Sequence, residues 1–269
     1  MNNILNLISE NKILRLMLNV PFPRRCPYCD DATSPFGAYI CKDCKRGFKI
    51  ASPNRCFKCG KPLYGRDENK EFCFDCSVTP HFFDRGYSLF DYKSAAKSIY
   101  RFKYTGRKEY AEFYARCFAG FYAEEKYGLR IKSALNKSDI CGIFAYGKRI
   151  EALIPVPLHE DKKRSRGYNQ AELFARELSK ISGTPVRSDL VFRTKATSPQ
   201  KGLGAVMRRE NLKNAFNIRS NDVSLGNVAV VDDIYTTGST VDAVSALLRA
   251  KGAENIHVFT LAIGVGKQY

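Results

Sequence analysis

An α/β domain with a central, mostly parallel sheet, preceded by a small cysteine-built domain, is the fold class this 269-residue sequence predicts. Three observations predict it. Residues 230–240 read Val-Val-Asp-Asp-Ile-Tyr-Thr-Thr-Gly-Ser-Thr, a buried-strand pattern running through two carboxylates and a hydroxyl-rich turn into a helix. Short apolar runs alternate with helical periodicity from residue 151 to 263. Eight of the ten cysteines form four Cys-x-x-Cys pairs between residues 26 and 76.

Taken in chain order, residues 1–20 are striped: Ile4, Leu5, Ile8, then Ile13, Leu14 and Met17 share a helical face. Glu10, Lys12 and Arg15 interrupt the apolar run and no basic segment precedes it, so it does not read as an export signal. Contact with a membrane surface is the alternative to packing on the protein. No segment has the apolar length to span a bilayer. The expected location is cytoplasmic, without stable membrane insertion.

Cys26/Cys29, Cys41/Cys44, Cys56/Cys59 and Cys73/Cys76 follow. A Cys-x-x-Cys hairpin aims two thiolates at one tetrahedral ion, and two hairpins close a four-cysteine site. Chain order predicts two consecutive zinc ribbons, 26–44 and 56–76, with interleaved pairing as the other option and an iron–sulfur cluster as the rival metal. Gly60 after Cys59 suits a left-handed knuckle turn. With no open coordination position, two Zn²⁺ ions here are structural. Cys117 and Cys141 stand alone as ordinary thiols. Formal net charge is +17, or about +13 with eight thiolates holding two Zn²⁺, which favours phosphate-rich ligands or nucleic acid. Arg24, Arg25, Lys42, Lys45, Arg46, Lys49, Arg55, Lys58 and Lys61 lie among Tyr28, Phe36, Tyr39, Phe48 and Phe57. That mixture suits single-stranded nucleic acid as well as it suits a small core with a solvated surface.

Beyond residue 80, 87–92 is strand-like and 94–104 helix-like, with Lys97, Arg101 and Lys103 among aromatics; the segment suits a lid or acceptor-binding element, with Lys103 as the acceptor-side candidate, and equally a packing helix. Residues 151–158 form a strand ending in a proline-stiffened turn. A basic loop over 159–166, carrying Lys162, Lys163, Arg164 and Arg166, precedes a helix whose apolar face is Leu173, Phe174, Leu178 and Ile181. Such a loop is placed for a pyrophosphate, although a solvated charge run needs no explanation. A strand at 190–193 leads into residues 194–211, polar, basic and glycine-containing. So long a connection suits a lid closing over phosphates through Lys195, Gln200, Lys201, Arg208 and Arg209. Strands at 215–218 and 256–263 complete the sheet, with His257 read as packed.

Val228, Ala229, Val230 and Val231 make a strand suited to burial on both faces. Val241, Val244, Leu247 and Leu248 share a helix face, and Gly252 stops that helix. The turn between them offers free N–H groups and a helix dipole to a phosphate, with donors from Thr236, Thr237, Ser239 and Thr240 and close backbone approach at Gly238. Two carboxylates would repel that phosphate unless the ligand also carries a diol, so Asp232 and Asp233 are read as acceptors for ribose hydroxyls.

The 230–240 string resembles the PRPP motif of type I phosphoribosyltransferases. The four cysteine pairs, Phe102-Lys-Tyr-x-Gly106, Ile154-Pro-Val-Pro, Arg166-Gly-Tyr-Asn-Gln170, the 194–211 segment and the PRPP motif together resemble the ComF family over nearly the whole chain. That resemblance implies domains at 1–20 (amphipathic helix), 21–80 (double zinc ribbon) and 81–269 (type I phosphoribosyltransferase fold). It also implies a part in natural competence, handling single-stranded DNA beside a competence helicase. The expected ligand is Mg-PRPP or a related ribose 5-phosphate, with Mg²⁺ held mainly by the ligand's own oxygens and no acceptor named. Asp232 and Asp233 carry the catalytic expectation. An accessory that binds nucleic acid and uses the pocket as a sensor is the alternative.

Overall fold

The computed structural model describes residues 23–34, 37–127, 150–194, 215–219 and 225–264. The expected N-terminal helix, the 194–211 segment past Thr194, and Cys141 lie outside them. Two compact units divide at residues 48 and 49.

The first unit holds the first ribbon. Cys26 N–H donates to Asp31 O and Asp30 N–H to Cys26 O, while Arg25 bridges Ala32 in antiparallel fashion. Asp30 takes the left-handed conformation that closes the knuckle, with φ 69°. A 3-10 turn, Asp43–Arg46, carries Cys44 of the second pair.

The second unit opens with the same knuckle again: Cys56 N–H to Lys61 O, Gly60 N–H to Cys56 O, and an Arg55–Pro62 bridge. Here glycine is required. Gly60 has φ +75°, and a Cβ on it would sit 2.7 Å from Gly86 O, while one on Gly86 would sit 2.7 Å from Cys59 O. The knuckle is thus pressed against the sheet backbone. The short helix α1 (Phe74–Val78) completes this ribbon.

Then come β1 (Arg85–Asp91), α2 (Tyr92–Tyr104), α3 (Tyr110–Tyr127), β2 (Ala152–Pro155), α4 (Glu160–Arg166), α5 (Gln170–Ser182), β3 (Val191–Arg193), β4 (Phe216–Ile218), β5 (Asn227–Tyr235), α6 (Ser239–Ala250) and β6 (Asn255–Ile263). The main sheet runs β1-β6-β5-β2 and is parallel throughout. Residues 49–51 and Lys58 bond the free edge of β1, so the edge is covered. Successive strand residues face opposite sides. Val228 and Val230 pack with Val241, Val244 and Leu248 of α6 and with Cys56, Cys59, Leu63 and Phe83 of the ribbon. On the other side Phe259 meets Phe118 and Tyr122 of α3, and Phe118 meets Phe174 of α5. Burial on both faces is the physical reason for the unbroken apolar run in β5.

Two expectations change. Residues 160–166, expected as a loop, are helical. His159 Nδ1 accepts from Asp161 N–H at the start, Glu160 and Asp161 oppose the positive dipole end, Lys163, Arg164 and Arg166 the negative end, and Gly167 closes it at φ 74°. The strands near 190 and 216 form their own antiparallel pair and do not join the main sheet.

Candidate functional site

The carboxylates lie within β5, not beyond it, because pairing with β6 continues through Tyr235. Strand alternation turns their side chains apart at the sheet's carboxyl edge, while Lys103 acts on both. Asp233 faces α2, where its Oδ2 lies 2.8 Å from Lys103 Nζ. Asp232 faces β3 and the positive charge of Arg193. Its Oδ1 accepts from Asp233 N–H at 2.8 Å. Burial, with the neighbouring Asp233 charge, pushes the Asp232 carboxyl up to about 7, against the pull of Lys103 and Arg193. The acceptor-side candidate Lys103 is therefore an ion-pair partner of the catalytic candidate.

Immediately after β5, Gly238 at φ +77° caps α6 without offering a side-chain oxygen to its first turn. No side chain caps those N–H groups, which leaves a helix start of the kind that takes an anion. Ser239 and Gly238 are buried, Thr237 and Thr240 half-buried, and Thr236 exposed. Thr237 and Ser239 hydroxyls pair at 2.8 Å. The five turn residues follow the carboxylates directly in the chain, Thr236 standing three positions after Asp233.

Cations converge from separate elements. Arg166 Nη1 donates to Gln170 Oε1 at 3.0 Å and Nη2 to Tyr104 Oη at 3.0 Å, with its guanidinium 4.7 Å over the Tyr104 ring. One turn earlier on the same face of α4, Lys162 is lowered in pKa by burial and by Arg193, Arg166 and Lys103. Arg164, on the opposite face, is exposed. Lys195, Gln200, Lys201, Arg208 and Arg209 lie outside the described residues. Three sequence motifs interlock here: Tyr168 Oη donates to Phe102 O, Gln170 Nε2 reaches Lys103 O at 3.4 Å, and Asn169 Nδ2 donates to Val156 O at 2.9 Å. Lys162 belongs to the basic stretch expected at a pyrophosphate, whereas Arg193 is not among the expected site residues. Both stood in or beside basic stretches, but only the tertiary fold shows which charges turn inward.

The cysteines gather as Cys26, Cys29, Cys41, Cys44 and as Cys56, Cys59, Cys73, Cys76, each set with its sulfurs within 4.8 Å of one another. Pairing is consecutive. Cys59 and Cys73 sulfurs stand 3.7 Å apart, close to the ~3.8 Å edge of a tetrahedron with Zn–S bonds of about 2.3 Å. Backbone N–H groups of Ser34 and Lys61 point at Cys41 and Cys59 sulfurs, the outer-shell bonds a thiolate wants. Both sets fit a structural Zn²⁺. Burial pushes the isolated Cys117 thiol up to about 12, so it stays protonated. His257 is packed as expected and held down to about 4 by burial and Lys126. Among the described residues no helix is long and apolar enough to cross a membrane.

Residues 17–77 match a family model described as a double zinc ribbon domain. Competence protein F of Haemophilus influenzae is 47% identical over 114 residues, covering 42% of this chain and half of that protein's length. DNA utilization protein YhgH of Escherichia coli O157:H7 is 30% identical over 223 residues, covering 82% of this chain and 89% of that one. Competence protein ComFC of Bacillus subtilis is 25% identical with 82% and 83% covered. Among solved structures, adenine phosphoribosyltransferase of Leishmania tarentolae aligns at 12% identity and TM-score 0.33, covering 83% of this chain and 86% of that one. The near-complete match at 30% identity and the paired zinc ribbons settle the kinship: the chain belongs to the ComF family.

Proposed function

We propose that this protein binds Mg-PRPP, or a related ribose 5-phosphate, at the carboxyl edge of β5 and acts in the handling of incoming DNA during competence. The observation that carries the reading is the direct succession of Asp232 and Asp233, a glycine-capped helix start lined with hydroxyls, and converging cations from α2, α4 and β3. The relatives' names supply the competence and DNA-utilization context.

The chemistry proposed is transfer of the ribosyl group to an acceptor not yet named. Asp232 and Asp233 accept from the ribose hydroxyls, and the 236–240 turn holds the 5′-phosphate. A nitrogen of the acceptor attacks the anomeric carbon while its bond to the pyrophosphate oxygen breaks, and the electron pair leaves with pyrophosphate. Mg²⁺ bound with the ligand would supply charge neutralisation for that leaving group. Arg166, Lys162 and Arg193 add fixed positive charge on the same side. No side chain is assigned as a general base, so the nitrogen attacks through a lone pair available as bound, and any proton it then sheds passes to water or to the departing pyrophosphate. For Lys103 the reading is displacement from Asp233 as the ribose hydroxyls arrive, freeing its ammonium for the ligand's anionic groups.

A second reading has its own observation. Tyr92, Tyr100 and Tyr104 line an exposed face of α2, the last two rings 5.0 Å apart, with Lys93 and Lys97 exposed beside them. Exposed rings among cations suit stacked bases of single-stranded nucleic acid. The ribbon suits it less, since Arg55 donates to Ala51 O and Ser52 O and Lys61 pairs with Asp75. A competence helicase remains the proposed protein partner.

One experiment separates the two. The Asp232→Ala/Asp233→Ala double variant is expected to lose stabilisation by Mg-PRPP and keep its affinity for an oligo-dT strand. Tyr92→Ala with Tyr100→Ala, which leaves the Tyr104 partner of Arg166 in place, is expected to weaken the strand at least tenfold. If the aspartate variant binds Mg-PRPP as the parent does, the ribosyl-phosphate reading is wrong.

A further inference from the structure

The second ribbon lies in the same compact unit as the phosphate turn and shares its core. Two connections run between them. The first is a column of rings. Tyr235, the last residue of β5, is buried under the turn, its hydroxyl and ring crowding the place where a Gly238 Cβ would stand. Its ring meets Phe83 edge to face at 6.3 Å. Phe83 is fully buried in the core that includes Cys56, Cys59 and Cys73, and Lys58 of the knuckle reaches over it at 5.7 Å. The second is a polar latch. His81, five positions after Cys76, stacks on Phe83 at 4.9 Å and pairs through Nδ1 with Asp242 Oδ2 at 2.5 Å. Phe82 N–H donates to the other oxygen, Asp242 Oδ1, at 3.1 Å. Asp242 belongs to the first turn of α6, and its own N–H donates to Gly238 O at 2.8 Å.

Both connections end on Gly238, the left-handed residue that starts α6. The side chain of His81 is almost wholly buried, and its Nε2 has no hydrogen-bond partner among the described residues, so Asp242 alone fixes the ring's polar side. A buried, single-partner imidazole five residues from a metal ligand is a destabilising way to finish a ribbon unless its position matters.

We infer that the second zinc ribbon is part of the ribosyl-phosphate site: its four-cysteine centre, through Phe83 and Tyr235 and through the His81–Asp242 latch, sets the shape of the 236–240 turn. His81, Phe83 and Tyr235 are then positioning residues, acting on the ligand only through Gly238 and Asp242. The inference rests on the ribosyl-phosphate reading for its ligand measurement and stands apart from it in its backbone measurement.

The test uses the full chain with two zinc ions bound. Amide exchange is followed at 236–242 in the parent, His81→Ala and His81→Asn, the last keeping a donor where Nδ1 stands. Expected is at least tenfold faster exchange at 236–242 in His81→Ala, with zinc content still two per chain and β6 exchange little changed, and recovery in His81→Asn. Cys73→Ser, carrying one zinc, is expected to show the same local loosening. Mg-PRPP affinity is expected to fall at least tenfold in His81→Ala and to return in His81→Asn. Unchanged exchange at the turn in His81→Ala overturns the inference, as does a rise spread evenly over β5, α6 and β6. If the parent itself takes up no Mg-PRPP, the ligand reading fails while the exchange data still decide the brace.

Discussion

Replacing Gly238 with alanine probes the site where its backbone is tightest. Gly238 and Gly167 have nearly the same left-handed conformation, φ +77° and +74°, so alanine incurs a similar backbone penalty of about 1–2 kcal/mol at each. Their surroundings differ. A Cβ on Gly167 meets nothing within 4 Å, whereas one on Gly238 would collide with Tyr235 Oη and lie 2.8 Å from its Cζ. That ring is buried and cannot swing away, so crowding adds about 1–3 kcal/mol. Gly167→Ala is therefore expected to lose about 1 kcal/mol and Gly238→Ala about 3 kcal/mol. In a unit of this size the latter lowers Tm by roughly 6–12 °C. Phenylalanine at Tyr235 removes the nearest atom only, so Gly238→Ala should be less damaging by about 1 kcal/mol in that background. Urea unfolding of the four variants measures this. Equal losses at Gly238 and Gly167 would refute the claim that Tyr235 supports the turn.

Further expectations concern charge and metal. Lys103→Ala should lower stability by about 1–3 kcal/mol, since its partner Asp233 is mostly buried; a double-mutant cycle with Asp233→Asn should show coupling above about 1 kcal/mol, and zero coupling contradicts the pair. His257, held neutral to about pH 4 against about 6.5 unfolded, contributes stability that is full above pH 6.5. It is lost as pH falls toward 4, by up to about 3 kcal/mol, and His257→Phe should flatten that part of the profile. Asp232 acts oppositely: with its folded pKa raised to about 7, its charge burdens the fold as pH climbs from about 4 to 7. Asp232→Asn should therefore be the more stable protein at pH 8, though it is expected to lose the ligand; lower stability there would contradict the assigned burial. Gly60→Ala should disturb the second ribbon's docking on β1 and lower Tm, while Gly65→Ala, with open space around it, should do so far less.

What was legible in the sequence was mostly local. The β5–turn–α6 unit is contiguous, and its apolar run, hydroxyls and Gly238 all report on one another within eleven residues. Cysteine spacing fixed the hairpins, and the fold settled their consecutive pairing. What escaped notice is carried across the chain. Lys103 meets Asp233 and His81 meets Asp242 from far away in sequence, and no periodicity marks such pairs. The α4 segment read as charge because its apolar content is nil; its helix rests on a cap, dipole-matched ends and Gly167. Helix α3 is not delineated by periodicity because buried residues ring much of its circumference, Tyr114 and Phe118 on one face and Phe113, Ala119 and Ala123 on the others, so no single apolar stripe stands out.

The central claim is that β5, its turn and the surrounding cations form a site for a ribose 5-phosphate ligand. Titration of the full, zinc-loaded chain with Mg-PRPP, followed by thermal unfolding, tests it most directly. A site filled at about a hundred times its Kd stabilises the fold by about 2.7 kcal/mol, which in this unit is a rise of roughly 5–11 °C. The account expects such a rise, absent when Asp232 and Asp233 are both alanine. No rise at millimolar Mg-PRPP, with both zinc sites full, would contradict it.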